Sequence, residues 1–534
     1  MPQKIILRSK RDGVLTETVY DKVLGHVYDV IVAGLGTAGS ICAVCAAQDG
    51  LDTLGLDRLP GPGGLGVYGC IWGYYFGLPH GRFERIDAFA RSLYERGYAL
   101  SEPRGGDGET VYHLDGGKGH SLGKNRYIHG AVKEYAIEQA ARDAGCEFKF
   151  QATVCGCFTE GGAVCGVRYI KDGAFYDAFG KVVVDAAGDA YISGLAGSPL
   201  EYGRRADGAM MRYSKPFAVL SEGLVKPVWY STDKTEKTRG TEEITSELLR
   251  LTARFADRDG TGGWTDETRI VYESSVPGIR ECGHIKPVSR LTFEEYADGA
   301  ETDEPLFYVF APLDNVNPDI GFETRAHQDW DFICDMRDFG FTLGVPKETL
   351  FPAREDGAPI AGLITIGRGA GFDHDVSTGF RMKKDFQKMG EAAAVLAGNA
   401  VRTGQFPHEA RYADIKGALL SEGCLNKKNR IGLARLWEAG AGGERGDKTA
   451  RLPADGREVA ALLESDAPGL AYWAIRVSRG RLFTGDVRAR AEAAGRWRAH
   501  YAVAAALAGD AAARALSELL CEALRERGAG GFNP

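Results

Sequence analysis

Between Tyr28 and Ala33 the chain is apolar at every position except Asp29. That pattern predicts a strand buried on both faces, as in a parallel sheet. From Thr37 to Gln48 the residues are mostly small or apolar, which suits a helix lying tightly on a sheet. Gly50 ends it, and 52–56 reads as the next strand. Upstream, 3–24 reads as a short hairpin around Arg11, Asp12 and Gly13, placed to extend a sheet edge. Downstream the spacing predicts a helix over 84–99, a short strand at 111–114 and an amphipathic helix over 130–144. An antiparallel meander is predicted over 147–150, 152–158, 162–171 and 174–179. A separate buried strand, 181–190, follows and ends in small residues and a carboxylate pair.

Later the pattern changes twice. Residues 201–350 hold aromatic-rich strands, a charged helix and loops, the pattern of an inserted substrate domain. Near 364–397 a glycine-bounded strand leads into a helix expected to start near Ser377. Residues 440–456 read as a linker. The stretch 457–527 is Ala-, Leu- and Arg-rich with helical period, and resembles HEAT-type repeats, with a plain helical cap as the alternative. The expected domains are 25–200 with 351–410, then 201–350, then 411–534.

A chain of 534 residues exceeds one compact core. It is 44% hydrophobic with a net charge of −8 of mixed sign, a soluble globular balance that gives no support for nucleic-acid or membrane binding. No apolar run reaches transmembrane length and no leader is visible, so a cytoplasmic protein is expected. Eleven cysteines without a regular framework fit reduced thiols. Cys42 and Cys45 fall on the sheet-packed helix and read as small core residues. No metal site is read: the loop from Asp257 has Thr268 where a calcium loop needs Glu.

Gly34, Gly36 and Gly39 form G-x-G-x-x-G between the first strand and its helix. The first permits a tight turn, the second lets backbone approach a pyrophosphate, and the third lets helix and strand pack closely. The helix start at Thr37 and Ala38 offers unpaired N–H groups to an anion. Asp57 lies 18 residues beyond Gly39, near the spacing of about 20 for a ribose-binding carboxylate. A glycine-rich turn without a ligand would leave Asp57 and this spacing unexplained. The following segment interleaves glycines with Tyr68, Trp72, Tyr74, Tyr75 and Phe76. Such a loop suits the face of a planar ligand, or else is a surface loop with an apolar anchor.

The strand–helix–strand opening, Gly63-Gly64 and the run Val183 to Gly188 followed by Asp189 resemble the FAD-dependent oxidoreductases of the glutathione-reductase-type fold. The match is most similar to the FAD dependent oxidoreductase group related to fumarate reductase and succinate dehydrogenase flavoproteins. That group's D-A-T-G-D-like segment has its counterpart in Asp185 to Asp189, with alanine for threonine. In 278–292, Arg280, Glu281, Ile285, Leu291 and Thr292 match, while Gly283 and His284 replace a pair of arginines. In 364–397, Gly367, Arg368, Arg381, Gly390, Ala392 and Ala393 match. The resemblance implies an α/β fold: a discontinuous Rossmann-like FAD domain, an inserted α+β substrate domain and a helical C-terminal region. It implies FAD with its pyrophosphate on Gly34 to Gly39 and its ribose on Asp57. The isoalloxazine would lie against 64–77 and a helix start at 376–382. Further FAD contacts are implied at Arg58, Gly63, Gly64, Val154, Ala187, Gly188, Asp189, Gly367, Arg368, Gly379, Phe380 and Arg381.

Flavin dehydrogenation needs a base for the substrate proton. His80 and His374 are the candidates, each with a surface or structural role as the alternative. His80 is also a candidate for covalent flavin attachment. Tyr74, Tyr75, Arg280 and His284 are candidates for substrate binding. The expected reaction is hydride transfer from a small polar organic substrate, with a sugar or hydroxy compound as the first guess. The alternatives are an FAD monooxygenase using NAD(P)H and oxygen, and a non-catalytic flavin scaffold. The helical C-terminal region is the candidate surface for a protein partner or self-association.

Overall fold

The computed structural model describes residues 4–21, 25–74, 76–96, 126–221, 224–232, 241–256, 268–314, 323–328, 330–331, 339–421, 423–426, 433–435 and 449–450. The chain divides into two compact units. One comprises 1–291, 303–319 and 344–430; the other comprises 292–302, 320–343 and 431–534.

The first unit opens with a hairpin of β1 (Lys4–Arg11) and β2 (Val14–Asp21), then β3 (Val27–Ala33), α1 (Thr37–Gln48) and β4 (Thr53–Leu56). A two-residue strand β5 (Gly73–Tyr74) pairs with β6 (Arg126–Tyr127), on either side of α2 (Phe83–Glu95). Then come α3 (Gly130–Asp143), β7 (Glu147–Lys149), β8 (Thr153–Glu160), β9 (Ala163–Lys171), β10 (Ala174–Asp185) and α4 (Tyr191–Leu195). Nine strands form one sheet. Its order is β2-β1-β8-β9-β10-β3-β4-β7, with β18 (Leu363–Thr365) also pairing β10. The hairpin does extend the edge, through antiparallel pairing of β1 with β8.

Two predicted strands, 174–179 and 181–190, are one. In β10, residues Ala174 to Phe179 run antiparallel to β9, and Phe179 to Asp185 run parallel to β3. Gly180 lies at this change of partner. A side chain there would sit 3.0 Å from Ile31 Cγ1, so glycine lets the strand continue beside β3. The parallel part is the core: Val30, Ile31, Val32, Val183, Val184 and Ile364 have no exposed surface. Helix α1 is buried from Ala38 to Ala47, which explains its lack of a polar face. It is covered by α9 (Lys383–Thr403), whose Gly390 lies so close that a Cβ would be 2.2 Å from Ala38 O.

The rest of this unit contains β11 (Leu200–Tyr202), which pairs with β15 (Gly283–Ile285). A second sheet, β13-β12-β14, is formed by β12 (Ser214–Ser221), β13 (Leu224–Ser231) and β14 (Arg269–Glu273). Helix α5 (Thr241–Ala256) packs Leu251 against its Phe217, Val219 and Tyr230. Residues 201–291 belong to this first unit and not to a separate insertion over 201–350. The reason is packing: Ala218 of β12 is buried with Cys70 and Trp72, and Tyr272 and Ser274 donate hydrogen bonds to Tyr68 O. The unit continues with β16 (Pro305–Ala311), buried at every position, and ends with α10 (Tyr412–Ser421).

In the second unit, α6 (Phe293–Ala297) is capped by the Thr292 hydroxyl, and α7 (Arg325–Gln328) follows. Phe341 packs with Tyr296 at 4.8 Å and with Phe293 at 5.4 Å. Residues Phe339 to Phe341, in β17 (Phe339–Pro346), pair with β19 (Leu433–Arg435), which pairs with β20 (Thr449–Ala450). The predicted helices of 457–527 lie outside the described residues, as do Tyr75, the strand at 111–114 and most of the loop from Asp257.

The closing helix departs from expectation. It is split into α8 (His374–Phe380) and α9, with extended Met382 between them. The first piece starts three residues before Ser377, because the Asp373 carboxylate accepts from Val376 N–H at 2.7 Å and caps it there. Among the described residues no helix is long and apolar enough to cross a membrane.

Candidate active site

At the end of β3 the three glycines do different work. Gly34 has φ +102, and a Cβ on it would lie 2.3 Å from Ala186 O at the end of β10. A Cβ on Gly39 would lie 1.9 Å from Gly34 O. Both are required by the protein's own packing. A Cβ on Gly36 would meet nothing within 4 Å. Its missing side chain therefore keeps open the space in front of α1, whose first turn at Thr37 and Ala38 contains no acidic residue. Gly63 and Gly64, at φ +102 and +51, fold over this opening, and a Cβ on Gly64 would come 2.8 Å from Gly36 Cα.

Asp57 closes β4. Its oxygens accept from Leu35 N–H at 2.6 Å and Leu59 N–H at 2.8 Å. Burial raises its carboxyl above the usual range, although those two backbone donors and the Arg58 charge oppose the rise. Ala152 N–H bonds Asp57 O at 2.8 Å, which brings the start of β8 and its half-buried Val154 to the same end of the sheet.

The chain returns here twice. Asp185, at the end of β10, accepts from the Ser193 N–H and hydroxyl at 2.8 and 2.7 Å, and burial pushes it up to about 6. It is a structural clasp, since Ser193 also reaches Thr365 of β18 at 2.8 Å. Beyond it, Ala187 leads into Gly188, where a Cβ would lie 2.9 Å from Arg368 Nη2. Burial raises the Asp189 carboxyl, and the charges of Arg368 and Arg58 oppose this. Arg58, Asp189 and Arg368 thus meet from three distant segments. Gly367, at φ +77, also faces open space.

The opening therefore has unpaired helix amides, no acid at the helix start and two glycines facing free space. A pyrophosphate-containing dinucleotide fits these features. Gly379, Phe380 and Arg381 do not form a helix start: they are the end of α8 and the turn after it. Phe380 is buried against Phe372 at 5.7 Å. The helix start that reaches the opening is that of α9, where the Lys383 stem lies 3.5 Å from the Cβ position of Gly66.

Beside α8 lies a buried charged group that only its sequence neighbours hinted at. His374 Nδ1 lies 2.8 and 3.0 Å from the two carboxylate oxygens of Glu281. Met211 N–H donates to Glu281 Oε2 at 2.8 Å, and His284 Nε2 lies 3.6 Å from Oε1. Glu281, His284 and His374 are all buried. Burial alone would raise the Glu281 carboxyl, but His374 and His284 outweigh it and hold it at about 2. His284 Nδ1 faces Ala370 O at 3.2 Å, and a carbonyl only accepts, so Nδ1 carries a proton. Glu281 fixes His374 with its Nδ1–H inward, so that the neutral ring carries its lone pair on Nε2. The R-E-x-x-H spacing of Arg280, Glu281 and His284 was the available sequence signal for Glu281.

The other candidates lie elsewhere. His80 is half-buried at φ +79. Its near neighbour Arg82 bonds Cys45 O and Asp49 at the far end of α1, about 18 Å of helix from the glycine turn. The structure does not bring His80 into the His374 group. Tyr74 is buried, and its hydroxyl donates to Asp87 at 2.9 Å. Lys133 bonds both Asp87 and Gln387 beside it. Trp72 and Phe76 are likewise buried, so most of the aromatic loop is core and not an open stacking face. Arg280 adjoins Glu281 and donates through Nη1 to Arg212 O at 2.8 Å.

A model of the FAD dependent oxidoreductase family matches residues 29–239 and 225–419. The chain belongs to that family. It is an enzyme, and FAD is its cofactor. The digeranylgeranylglycerophospholipid reductase 2 of Methanococcoides burtonii is 28% identical over 167 residues, 30% of this chain and 38% of that protein. The digeranylgeranylglycerophospholipid reductase of Methanosarcina acetivorans is 28% identical over 162 residues, again 30% and 38%. The match thus spans less than half the length of these relatives. Among solved structures, a geranylgeranyl bacteriochlorophyll reductase-like protein of Thermoplasma acidophilum aligns at TM-score 0.39 with 15% identity, over 74% of this chain and 84% of that one. A myxobacterial flavin-dependent chondrochloren halogenase aligns at 0.36, with 15% identity over 74% and 78%.

Proposed function

We propose that the enzyme transfers hydride between a small polar organic substrate and FAD, with His374 moving the accompanying proton. The buried Glu281–His374 contact carries this reading. When bound, FAD supplies the two-electron acceptor. Gly34 to Gly39 would receive its pyrophosphate, Asp57 its ribose, and Arg58, Asp189 and Arg368 the polar groups near the second return of the chain. Glu281 holds the His374 ring in one orientation and tautomer, and stabilises the imidazolium formed when Nε2 takes the substrate's proton. His284, with Nε2 3.6 Å from Oε1, adds a second imidazole beside that carboxylate.

The test is anaerobic bleaching of the flavin by a panel of alcohols, hydroxy acids and sugars. His374→Asn is expected to keep its FAD and slow bleaching by a polar donor about 100-fold or more. Unchanged bleaching in that variant would overturn the role of His374. A second reading, reduction of an isoprenoid double bond, is favoured by the partial match to digeranylgeranylglycerophospholipid reductases. It requires reoxidation of the reduced enzyme by a geranylgeranyl lipid and no bleaching by the polar panel.

A further inference from the structure

We propose that the second unit holds a binding site for a divalent metal ion of the zinc type, built from Glu323, His327 and Asp331. The three residues stand four apart in the chain, and on a helical turn that spacing brings side chains to one face. They are 5%, 0% and 6% exposed, so none is a solvated surface group. A Glu323 carboxylate oxygen and a His327 ring nitrogen lie within 4.8 Å of each other. Asp331 Oδ2 lies 3.4 Å from His327 Nε2. One buried imidazole thus has a carboxylate from the turn before it and another from the turn after it.

The backbone fixes this arrangement. The Thr324 hydroxyl accepts from His327 N–H at 3.3 Å, and Thr324 O accepts from Gln328 N–H at 3.0 Å. Gln328 Nε2 reaches back to Glu323 O at 2.7 Å, which ties Glu323 to the turn that carries His327. Trp330 and Asp331 follow in a π-helical turn, a rare winding that recurs at functional sites. The surroundings are apolar rings: Phe293 lies 6.2 Å from the His327 ring and 5.4 Å from Trp330. In such a low-dielectric place the charge balance matters. A proton on His327 offsets one carboxylate, whereas a divalent ion on the neutral ring offsets both. The 3.4 Å between His327 and Asp331 is long for a charged hydrogen bond, which runs about 2.7–2.9 Å. It is the spacing of two ligands in a tetrahedral site whose bonds are about 2.1 Å. An imidazole with carboxylates suits zinc better than calcium or magnesium, which favour oxygen ligands alone.

The experiment strips the FAD-loaded, full-length enzyme with EDTA and dialyses it against graded zinc chloride. Bound zinc per chain is then counted by mass spectrometry. Saturable binding is expected, with one ion more per chain in the wild type than in His327→Ala. Glu323→Gln and Asp331→Asn should each weaken zinc about ten-fold or more, with FAD content and Tm checked alongside. No saturable zinc in the wild type, or the same stoichiometry and affinity in His327→Ala, overturns the proposal. Should His327→Ala fail to fold, X-ray absorption at the zinc edge of the wild type decides. A nitrogen and oxygen shell at about 2.0–2.1 Å with imidazole scattering supports the site, and a sulfur shell at about 2.3 Å overturns it by assigning the ion to cysteines.

Discussion

His374 Nδ1 and Glu281 Oε1 meet at 2.8 Å in a buried site, although 93 residues separate them in the chain. The contact joins the loop before β15 to the first residue of α8. It holds the His374 ring against a carboxylate through Nδ1.

Glu281→Gln keeps the side chain's shape and removes the charge. We expect anaerobic bleaching to slow at least ten-fold, since the His374 ring then loses the carboxylate that orients it. Removing one partner of a buried pair also costs about 3–5 kcal/mol, so the Tm should fall. Stopped-flow absorbance and differential scanning fluorimetry check the two effects.

The Glu281 carboxyl also sets an acid limit. Its folded pKa, about 2, lies below the ordinary value of 4.5. The sign is that of a depressed acid: its stabilisation is complete above about pH 4.5 and disappears as pH falls toward 2. Acid unfolding of Glu281→Gln should therefore show a shallower pH dependence than the wild type across that window, measured by circular dichroism.

Glu391 should behave in the opposite way. Burial pushes it up to about 7, against the Phe83 and Arg82 backbone donors and the charges of Arg82 and Lys388. A raised acid contributes stability that is present below about pH 4.5 and lost as pH rises through 7. Glu391→Gln can still accept from Phe83 N–H, whose present bond is 2.8 Å. Its Tm relative to wild type should therefore be higher at pH 8 than at pH 5. A difference that does not change with pH would contradict the assignment.

The glycines separate binding from folding. Gly36→Val projects into open space, so the apoprotein should keep its Tm while FAD affinity drops by 100-fold or more, read by fluorescence titration. Gly39→Ala forces a Cβ to 1.9 Å from Gly34 O. It should destabilise even the apoprotein, by about 1–3 kcal/mol or more.

Asp373→Ala removes the α8 cap. A loss of about 1 kcal/mol is expected, with weakened protection of the Val376 amide in hydrogen exchange.

Local pattern was enough for the nucleotide end of the molecule. The apolar run of β3, the three glycines, the small-residue helix and Asp57 lie within one continuous stretch, and their chemistry depends on neighbours in sequence. The later glycines at 188 and 367 were legible because each marks a strand end near the cradle. The aromatic loop was read less well: glycine and tyrosine suit both a ligand face and a buried anchor, and only contact with Ala218 of β12, some 150 residues on, decides between them.

By itself, the sequence determined a dinucleotide-binding α/β sheet and the glycines and acid that form its cradle, because turn geometry and strand burial are short-range constraints. Tertiary structure decided which histidine has a carboxylate partner, that β10 is one strand serving two sheet directions, and that the closing helix starts at Asp373's cap and breaks at Met382. Electrostatic partnership depends on through-space distance in a low-dielectric interior. That distance between Glu281 and His374 exists only once β10, β15 and α8 have been packed together.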